Sequence, residues 1–259
     1  MIQESYNKIR TWYDAYISEF SSEDSEILIN INLIKEHASR VEENVMELAT
    51  TIDLEESDFL LLKVSAFLHD IGRLEQLVKY GTYVDDEESN HIQIGLKVIE
   101  EHEVLSGLNE KEQQLIVDCV KNYDTNKLPQ IEDNQFQTLI YLLRDADKID
   151  VLRVVSDYYT HKKIYPNGRL DMDLKDTPGI SKKIYKAIMN DKVAKRDDVQ
   201  NLNDLKLSQM SWVFDMNNKK SFKMISEGGY VKSIFDTLSK SDDVIDMYRN
   251  MKIFMENQL

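Results

Sequence analysis

Cysteine is almost absent from this sequence. Cys119 is the one cysteine among 259 residues. A single thiol cannot form an intramolecular disulfide or a cysteine-based zinc cluster, so neither can hold this fold together. Cys119 lies in an apolar pattern with Leu115, Ile116 and Val120, and we therefore expect a buried structural thiol.

Glycine and proline are also scarce, with 8 and 3 residues respectively. Many short strands would need more turn residues than this, whereas apolar residues at every third or fourth position predict amphipathic helices. One such stripe begins near Ser25 and contains Ile27, Ile31, Ile34, Ala38, Val41, Val45 and Leu48. The sequence therefore predicts an all-α fold, a bundle of helices.

The helical pattern is interrupted once in a way that predicts a boundary. Turn-like segments at residues 165–168 and 176–179 follow His161 closely. We predict a helical core over residues 1–160 and a C-terminal helical extension over residues 161–259 that packs on this core.

Long apolar runs are missing, and positive charge is in deficit. No stretch approaches the roughly 20 apolar residues of a membrane span, and the N-terminus has no basic region before an apolar run. We expect a cytoplasmic protein without membrane contact. The formal charge of −15 repels extended nucleic acid. A small phosphorylated substrate can still bind where a local cation focuses positive potential, which favours a bound metal ion.

Two histidines and two aspartates have the chemistry of a metal site. His37 lies beside the apolar stripe, His69 and Asp70 end a predicted helix that starts near Glu55, and Asp147 lies on another predicted helix. Neutral imidazoles and carboxylates form a mixed nitrogen and oxygen site with a charge of about −2, which a divalent ion neutralises. Ligands from separate helices can converge inside a bundle.

These residues belong to longer motifs, His69-Asp70-Ile71-Gly72-Arg73 and Arg144-Asp145-Ala146-Asp147-Lys148. In this order and spacing, the chain resembles the HD-domain superfamily of metal-dependent phosphohydrolases, which is named for a His…His-Asp…Asp pattern. The resemblance covers roughly residues 25–160. The later part resembles an extension carried by an uncharacterised bacterial branch of that superfamily.

The resemblance implies the roles of the site residues. His37, His69, Asp70 and Asp147 would bind the metal, and Asp70 would also orient or deprotonate the attacking water. The cations of the two motifs, Arg73 and Lys148, are candidate phosphate contacts, because Arg and Lys both bind phosphate oxygens. Each has an alternative reading: Arg73 as a helix cap, and Lys148 in an ion pair with a nearby carboxylate. We expect Gly72 to end the helix that carries His69.

The number of ions depends on two further positions. Members with two metals carry additional histidines; His91 matches one such position, but Tyr123 stands where the next is expected. We therefore favour one tightly bound ion, with a second possible; Mn, Fe, Co, Ni, Zn and Mg all remain candidates. His91 would complete a weak second site or act as a general acid; its alternative is a solvent-facing residue at a helix start.

The acidic segment that precedes His91, residues 79–90, is expected to be a solvated loop.

Three functions remain open at this stage. The first is hydrolysis of a phosphate ester or anhydride of a small molecule, with a nucleotide as the expected substrate. The second is a catalytically silent HD fold that binds a nucleotide or serves in signalling. The third is oxygenation by two irons, which the missing histidine disfavours. A homodimer is conceivable, because the last predicted helix carries several apolar residues, Met247, Ile253, Phe254 and Met255.

Overall fold

The structure is a computed structural model, and it describes residues 2–125, 128 and 132–259. Over these residues the chain forms twelve α-helices and two short 3₁₀ helices, and no strand. The α-helices are α1 (Ile2–Ser18), α2 (Ser25–Ala49), α3 (Glu56–Leu68), α4 (Gly72–Tyr80), α5 (His91–Glu101), α6 (Glu110–Asn122), α7 (Asn134–His161), α8 (Lys182–Ile188), α9 (Leu202–Met210), α10 (Lys219–Gly228), α11 (Tyr230–Asp236) and α12 (Asp242–Gln258). The predicted all-α class is confirmed.

The chain divides into two compact units, Met1–Asp147 and Lys148–Leu259. The division falls within α7, between two adjacent residues of one continuous helix. The boundary that the sequence predicts, after residue 160, stays a prediction.

In the first unit, α2 packs on α3 and α4, α3 packs on α1 and α6, and α5 packs on α4 and α6. One part of the core lies between α2 and α4, where Ile31, Ile34, Leu74 and Leu77 are buried against each other. The first half of α7 is tied to α2, because Asn44 donates a hydrogen bond to the carbonyl of Ala146 at 3.0 Å. These contacts bring the C-terminal end of α3 close to the middle of α2 and α7.

The second unit is built from the remainder of α7 and the later helices. Within it α12 packs on α8 and α10, and α9 packs on α8 and α11. Met247 and Met255 of α12 are buried and the Phe254 ring contacts Phe214, whereas Ile253 is exposed. The homodimer that these residues suggested stays a prediction.

Gly72 has a different role from the one expected. It begins α4, which the sequence reading missed, and it lies against α5. A Cβ atom added at Gly72 would lie 2.0 Å from the carbonyl oxygen of His91 and 2.5 Å from the nitrogen of Gly95. A glycine is therefore required because two helices approach each other closely, and not because a helix ends there.

Among the described residues, none of the helices combines the length and the apolarity that crossing a membrane requires. The cytoplasmic location stays a prediction.

Candidate metal centre

The four predicted ligands come from three helices and the turn after one of them. His37 lies on α2, His69 caps the C-terminal end of α3, Asp70 follows in the turn to α4, and Asp147 lies on α7. The packing of α2 on α3 and the hydrogen bond from Asn44 to α7 bring these segments together. All four residues belong to the same compact unit.

The two imidazoles face each other. Nε2 of His37 lies 3.2 Å from Nε2 of His69 and 3.2 Å from Oδ1 of Asp147. Nε2 of His69 lies 3.7 Å from the same Asp147 oxygen. Oδ2 of Asp70 lies 3.7 Å from Nε2 of His37 and 4.0 Å from Nε2 of His69. The structure thus brings together all four residues that the sequence predicted as ligands.

The tautomer of His69 leaves its inner nitrogen available as a ligand. Nδ1 of His69 is 2.6 Å from the carbonyl oxygen of Ala66, which can only accept a hydrogen bond. Nδ1 therefore carries the proton, and the lone pair of Nε2 points towards His37 and Asp147. A second hydrogen bond of this kind is the usual way in which a protein orients a metal-binding imidazole.

The donor set fits one divalent ion. Two ligand atoms bound at about 2.1 Å to one ion lie about 3.0–3.5 Å apart in octahedral or tetrahedral geometry. The distances between the donor atoms of His37, His69 and Asp147 agree with this spacing to within a few tenths of an ångström, and those to Asp70 are slightly longer. In the part of the chain that the structure describes, His37, His69 and Asp70 form one of two groups of side chains that could hold a metal ion; Asp147 is not in this group, although its Oδ1 contacts both imidazoles.

Both carboxyl groups are ionised at neutral pH. Burial raises the pKa of Asp70, but the charges of Arg73 and of the neighbouring imidazoles outweigh burial and place this pKa well below its usual range. Burial acts in the same direction on Asp147, and the neighbouring imidazoles of His37 and His69 outweigh it and lower this pKa as well. The centre therefore presents two negative charges to a cation.

The second oxygen of Asp70 makes a different set of contacts. The Tyr123 hydroxyl donates to Oδ1 of Asp70 at 2.5 Å, and Nε of Arg73 lies 3.4 Å from the same oxygen. Asp70 therefore directs Oδ2 towards the imidazole pair, while Oδ1 is held from the other side.

His91 connects Tyr123 to the acidic loop. Its Nε2 is 2.6 Å from the Tyr123 hydroxyl, and its Nδ1 is 2.7 Å from Oδ1 of Asp85. His91 is only 1% exposed, so the alternative of a solvent-facing helix start is wrong. Asp85, His91 and Asp124 form the second group that could hold a metal ion.

Asp85 does not belong to a wholly solvated loop, as the sequence suggested. Its Oδ1 accepts hydrogen bonds from the backbone nitrogen of His91 at 2.9 Å and from Nε2 of Gln76 at 3.0 Å, besides the contact with Nδ1 of His91. Burial raises the pKa of Asp85, but the hydrogen bond from His91 and the charge of Arg73 outweigh it and lower this pKa from 3.8 to about 2. The neighbouring Asp86, Glu87 and Glu88 are exposed, as expected.

Arg144 positions the segment that carries Tyr123. Its Nη1 donates to the carbonyl oxygens of Tyr123 at 2.7 Å and of Thr125 at 2.8 Å. Arg144 is buried, and its guanidinium holds the chain just beyond the C-terminal end of α6, where Tyr123 follows directly. The arginine of the second motif thus holds the backbone on either side of Asp124.

The two candidate phosphate contacts are engaged in other interactions. Nη1 of Arg73 donates to Oε1 of Gln76 and to the carbonyl oxygen of Tyr83, both at 2.9 Å. Nζ of Lys148 forms an ion pair with Asp215 at 2.6 Å, within the second unit. Phosphate binding by either residue stays a prediction.

Comparison with protein families identifies the domain that contains this centre. The family model for the HD domain matches residues 34–153, which include all four residues of the centre as well as His91 and Tyr123. Over residues 34–153, a little under half of its length, the chain carries an HD domain. HD domains are commonly metal-dependent hydrolases and bind divalent ions, in agreement with the donor set described above. No curated protein and no solved structure matches the chain.

Three residues of the HD domain site had no assigned role in the sequence analysis. Tyr123 was recognised only as a departure from the expected histidine, Asp85 was grouped with solvated acidic residues, and Arg144 was only a member of a motif. The position of Tyr123 in the pattern was a signal for its place at the site. Nothing in the sequence distinguishes Asp85 from Asp86, because the distinction arises from the path of the loop.

Proposed function

We propose that the HD domain hydrolyses a phosphate ester or anhydride of a small phosphorylated molecule, and that this molecule is a nucleotide. The observation that carries this proposal is the convergence of His37 and His69, whose Nε2 atoms are 3.2 Å apart, with Asp70 and Asp147, whose carboxylate oxygens lie 3.2–4.0 Å from these nitrogens. Monoester, diester and anhydride substrates are all compatible with this centre.

An ion is also needed for electrostatic reasons. The whole chain has a formal charge of −15, and two of its ionised carboxylates lie at the centre, where a phosphate group would bind. When bound, a divalent ion would supply positive charge to the phosphoryl oxygens and lower the pKa of a bound water from about 15.7 towards roughly 7 to 9. His37, His69, Asp70 and Asp147 would hold it.

Asp70 is the residue placed to act on the attacking water. Its low pKa makes it a weak base, so its carboxylate is better suited to orienting a water molecule by accepting a hydrogen bond than to storing the proton. The hydrogen bond from Tyr123 and the charge of Arg73 fix this carboxylate in one orientation.

The other proposed roles depend on contacts that would have to change. His91 can act as a proton donor only through the Tyr123 hydroxyl, which is its neighbour at 2.6 Å. Lys148 would have to leave Asp215 in order to bind phosphate. Arg73 holds Oδ1 of Asp70 and the 83–85 loop, which favours a positioning role.

The test is phosphate release by metal-stripped protein to which Mg, Mn, Fe, Co, Ni or Zn has been restored singly. The substrates are nucleoside monophosphates, diphosphates, triphosphates and cyclic nucleotides, which separate the ester and anhydride classes. We expect turnover with at least one metal, and a decrease of at least about 100-fold in Asp70→Asn.

Asp86→Asn is the matched control, because Asp86 is an exposed carboxylate that accepts hydrogen bonds from Glu88 and Ser89 of its own loop. It should retain full turnover. A folded, metal-loaded protein that binds nucleotides tightly but releases no phosphate with any metal would overturn the hydrolase and favour the silent binding module. A di-iron absorption band in the iron-loaded protein would favour the oxygenase.

A further inference from the structure

Tyr123 lies between two atoms that would serve as ligands of a second ion. Nε2 of His91 and Oδ1 of Asp70 are 3.6 Å apart, close to the separation of two ligands on one ion. The Tyr123 hydroxyl oxygen is 2.6 Å from the first atom and 2.5 Å from the second. It therefore fills the place that an ion shared by His91 and Asp70 would take.

The hydrogen bonds of this hydroxyl engage both atoms. A phenol has one proton, and the Tyr123 hydroxyl donates it to the carboxylate of Asp70. The phenol oxygen is at the same time within hydrogen-bond distance of Nε2 of His91, so the hydroxyl occupies both atoms. An ion could reach them only by displacing this hydroxyl.

The outer end of His91 is engaged as well. Its Nδ1 contacts Asp85, and Oδ1 of Asp85 already accepts from the backbone nitrogen of His91 and from Gln76. Although Asp85, His91 and Asp124 lie close enough to hold an ion, the first two are committed to each other. This pair orients the ring of His91 towards Tyr123.

We propose that Tyr123 is a positioning residue that limits the centre to one ion, because its hydroxyl takes the ligand positions of Asp70 Oδ1 and His91 Nε2. This inference rests on the metal centre of the proposed function but not on its hydrolytic activity. A histidine at the same position would replace a hydrogen-bonding hydroxyl by a nitrogen ligand beside His91 and Asp70, and would open a second site.

The test counts ions in the full-length protein. Metal-stripped wild type, Tyr123→His and Tyr123→Phe are loaded with Mn²⁺, dialysed, and measured by elemental analysis and native mass spectrometry. After dialysis we expect one ion per chain in the wild type and in Tyr123→Phe, and two in Tyr123→His. In excess Mn²⁺ before dialysis, Tyr123→Phe should take up a weakly held second ion, because Asp70 and His91 are freed without a third ligand, whereas the wild type should not. The electron paramagnetic resonance spectrum should show a spin-coupled manganese pair only in Tyr123→His.

Tyr123→Phe is the matched control, because it removes the hydroxyl without adding a ligand. The double variant Tyr123→His/His91→Ala locates the second ion and should return to one ion per chain. Two ions in the wild type, one ion in a folded Tyr123→His, or a second ion that survives His91→Ala would each overturn the inference. If Tyr123→His does not fold, Tyr123→Phe in excess Mn²⁺ decides, and the absence of a weakly held second ion there would overturn the inference.

The same experiment separates this inference from the proposed function. One ion per chain without phosphate release from any nucleotide would remove the hydrolase and leave the role of Tyr123 standing. Two ions per chain together with phosphate release would overturn the role of Tyr123 and leave the hydrolase standing. No ion with any of the metals would overturn the metal centre, and both proposals with it.

Discussion

Asp70 uses its two carboxylate oxygens for different contacts. Oδ2 lies within 4.0 Å of both imidazoles of the centre, while Oδ1 is held by Tyr123 and Arg73. The chain of contacts then continues through His91 to Asp85. Because each member fixes the next, a change at Asp85 should reach the centre although Asp85 does not touch it.

The first prediction concerns this chain of contacts. Asp85→Asn removes the charge that faces Nδ1 of His91, so the ring loses its orienting partner. We expect phosphate release to fall by about 10-fold while metal binding is retained. Loss of a residue that supports a metal site without binding the metal typically costs about 10- to 100-fold in activity, and Asp85 acts at the remote end of the chain of contacts. Steady-state kinetics and ion counting measure the two effects. Equal kinetics of Asp85→Asn and Asp86→Asn would contradict the prediction.

Asp85 should also contribute to stability in a pH-dependent way. Its pKa is lowered from 3.8 to about 2 in the folded state, so the folded protein keeps the carboxylate ionised where the unfolded chain would protonate it. The stabilisation is complete above the unfolded-state value of about 4 and is lost as the pH falls towards about 2. Urea unfolding of metal-free protein should show a difference between wild type and Asp85→Asn that shrinks across this interval. A constant difference would argue against the lowered pKa.

We predict that Arg144 stabilises the folded protein and holds the segment that carries Tyr123. Arg144→Met leaves the carbonyls of Tyr123 and Thr125 without their guanidinium donor. We expect a decrease of about 2–3 kcal/mol in the free energy of unfolding, since these are buried hydrogen bonds to a charged group. Urea denaturation measures the decrease.

Arg249→Met is the control for Arg144→Met. Arg249 is exposed and pairs only with Asp246 on the same helix, so its loss should cost less than about 0.5 kcal/mol. Similar losses in the two variants would show that the contacts of Arg144 do not matter.

At the scale of whole helices, the approach of α4 to α5 places His91. Gly72 of α4 faces the carbonyl of His91 and the nitrogen of Gly95 on α5, and its missing side chain allows this contact. The position of His91 relative to Tyr123 therefore depends on the distance between two helices as well as on its own hydrogen bonds.

Gly72→Ala should force these helices apart. The new Cβ atom would lie 2.0 Å from a backbone oxygen, which cannot rotate away. We expect a loss of about 3 kcal/mol in the free energy of unfolding, at the upper end for an inserted methyl group, together with reduced phosphate release. Calorimetry and kinetics measure these changes.

Gly81→Ala serves as the comparison for Gly72→Ala. Gly81 has φ +69 but open space around it, so an added methyl group meets no neighbour. The backbone conformation alone should cost about 1–2 kcal/mol, with turnover unchanged. Loss of turnover in Gly81→Ala, or retention of turnover in Gly72→Ala, would contradict the idea that the close approach of α4 to α5 positions His91 for activity.

At the scale of the whole molecule, the acidic charge and the metal centre act together. Without an ion, Asp70 and Asp147 hold two of the negative charges of a chain with a formal charge of −15 close together in one largely buried site. A divalent ion that binds only the folded chain should stabilise it by about 2.7 kcal/mol at 100 times its Kd.

Chelation should therefore lower Tm by roughly 5–10 °C relative to the metal-saturated protein. In Asp147→Asn the same treatment should shift Tm by much less, because one charged ligand is missing. Differential scanning calorimetry with and without chelator measures both shifts. Equal shifts in the two proteins would place the stabilising ion elsewhere.

The sequence by itself determined the class of fold and the donor set. Apolar spacing sets which residues share a helical face, and few glycines and prolines interrupt it, so helices followed from local pattern alone. His69 and Asp70 are adjacent in the chain, and each lies in a recognisable motif together with its neighbours. Features that depend only on residue type and on local spacing, such as helices and candidate metal ligands, can therefore be predicted from the sequence.

Only the tertiary structure decided how this donor set is supported. Tyr123 and Asp70 are 53 positions apart, and their contact depends on how α6 and the turn after α3 come together. Asp85 differs from Asp86 only through the path of its loop, and Gly72 is explained only by the closeness of α5. Local spacing fixes neighbours along one helix, but contacts between helices depend on packing distances that emerge when the whole core forms.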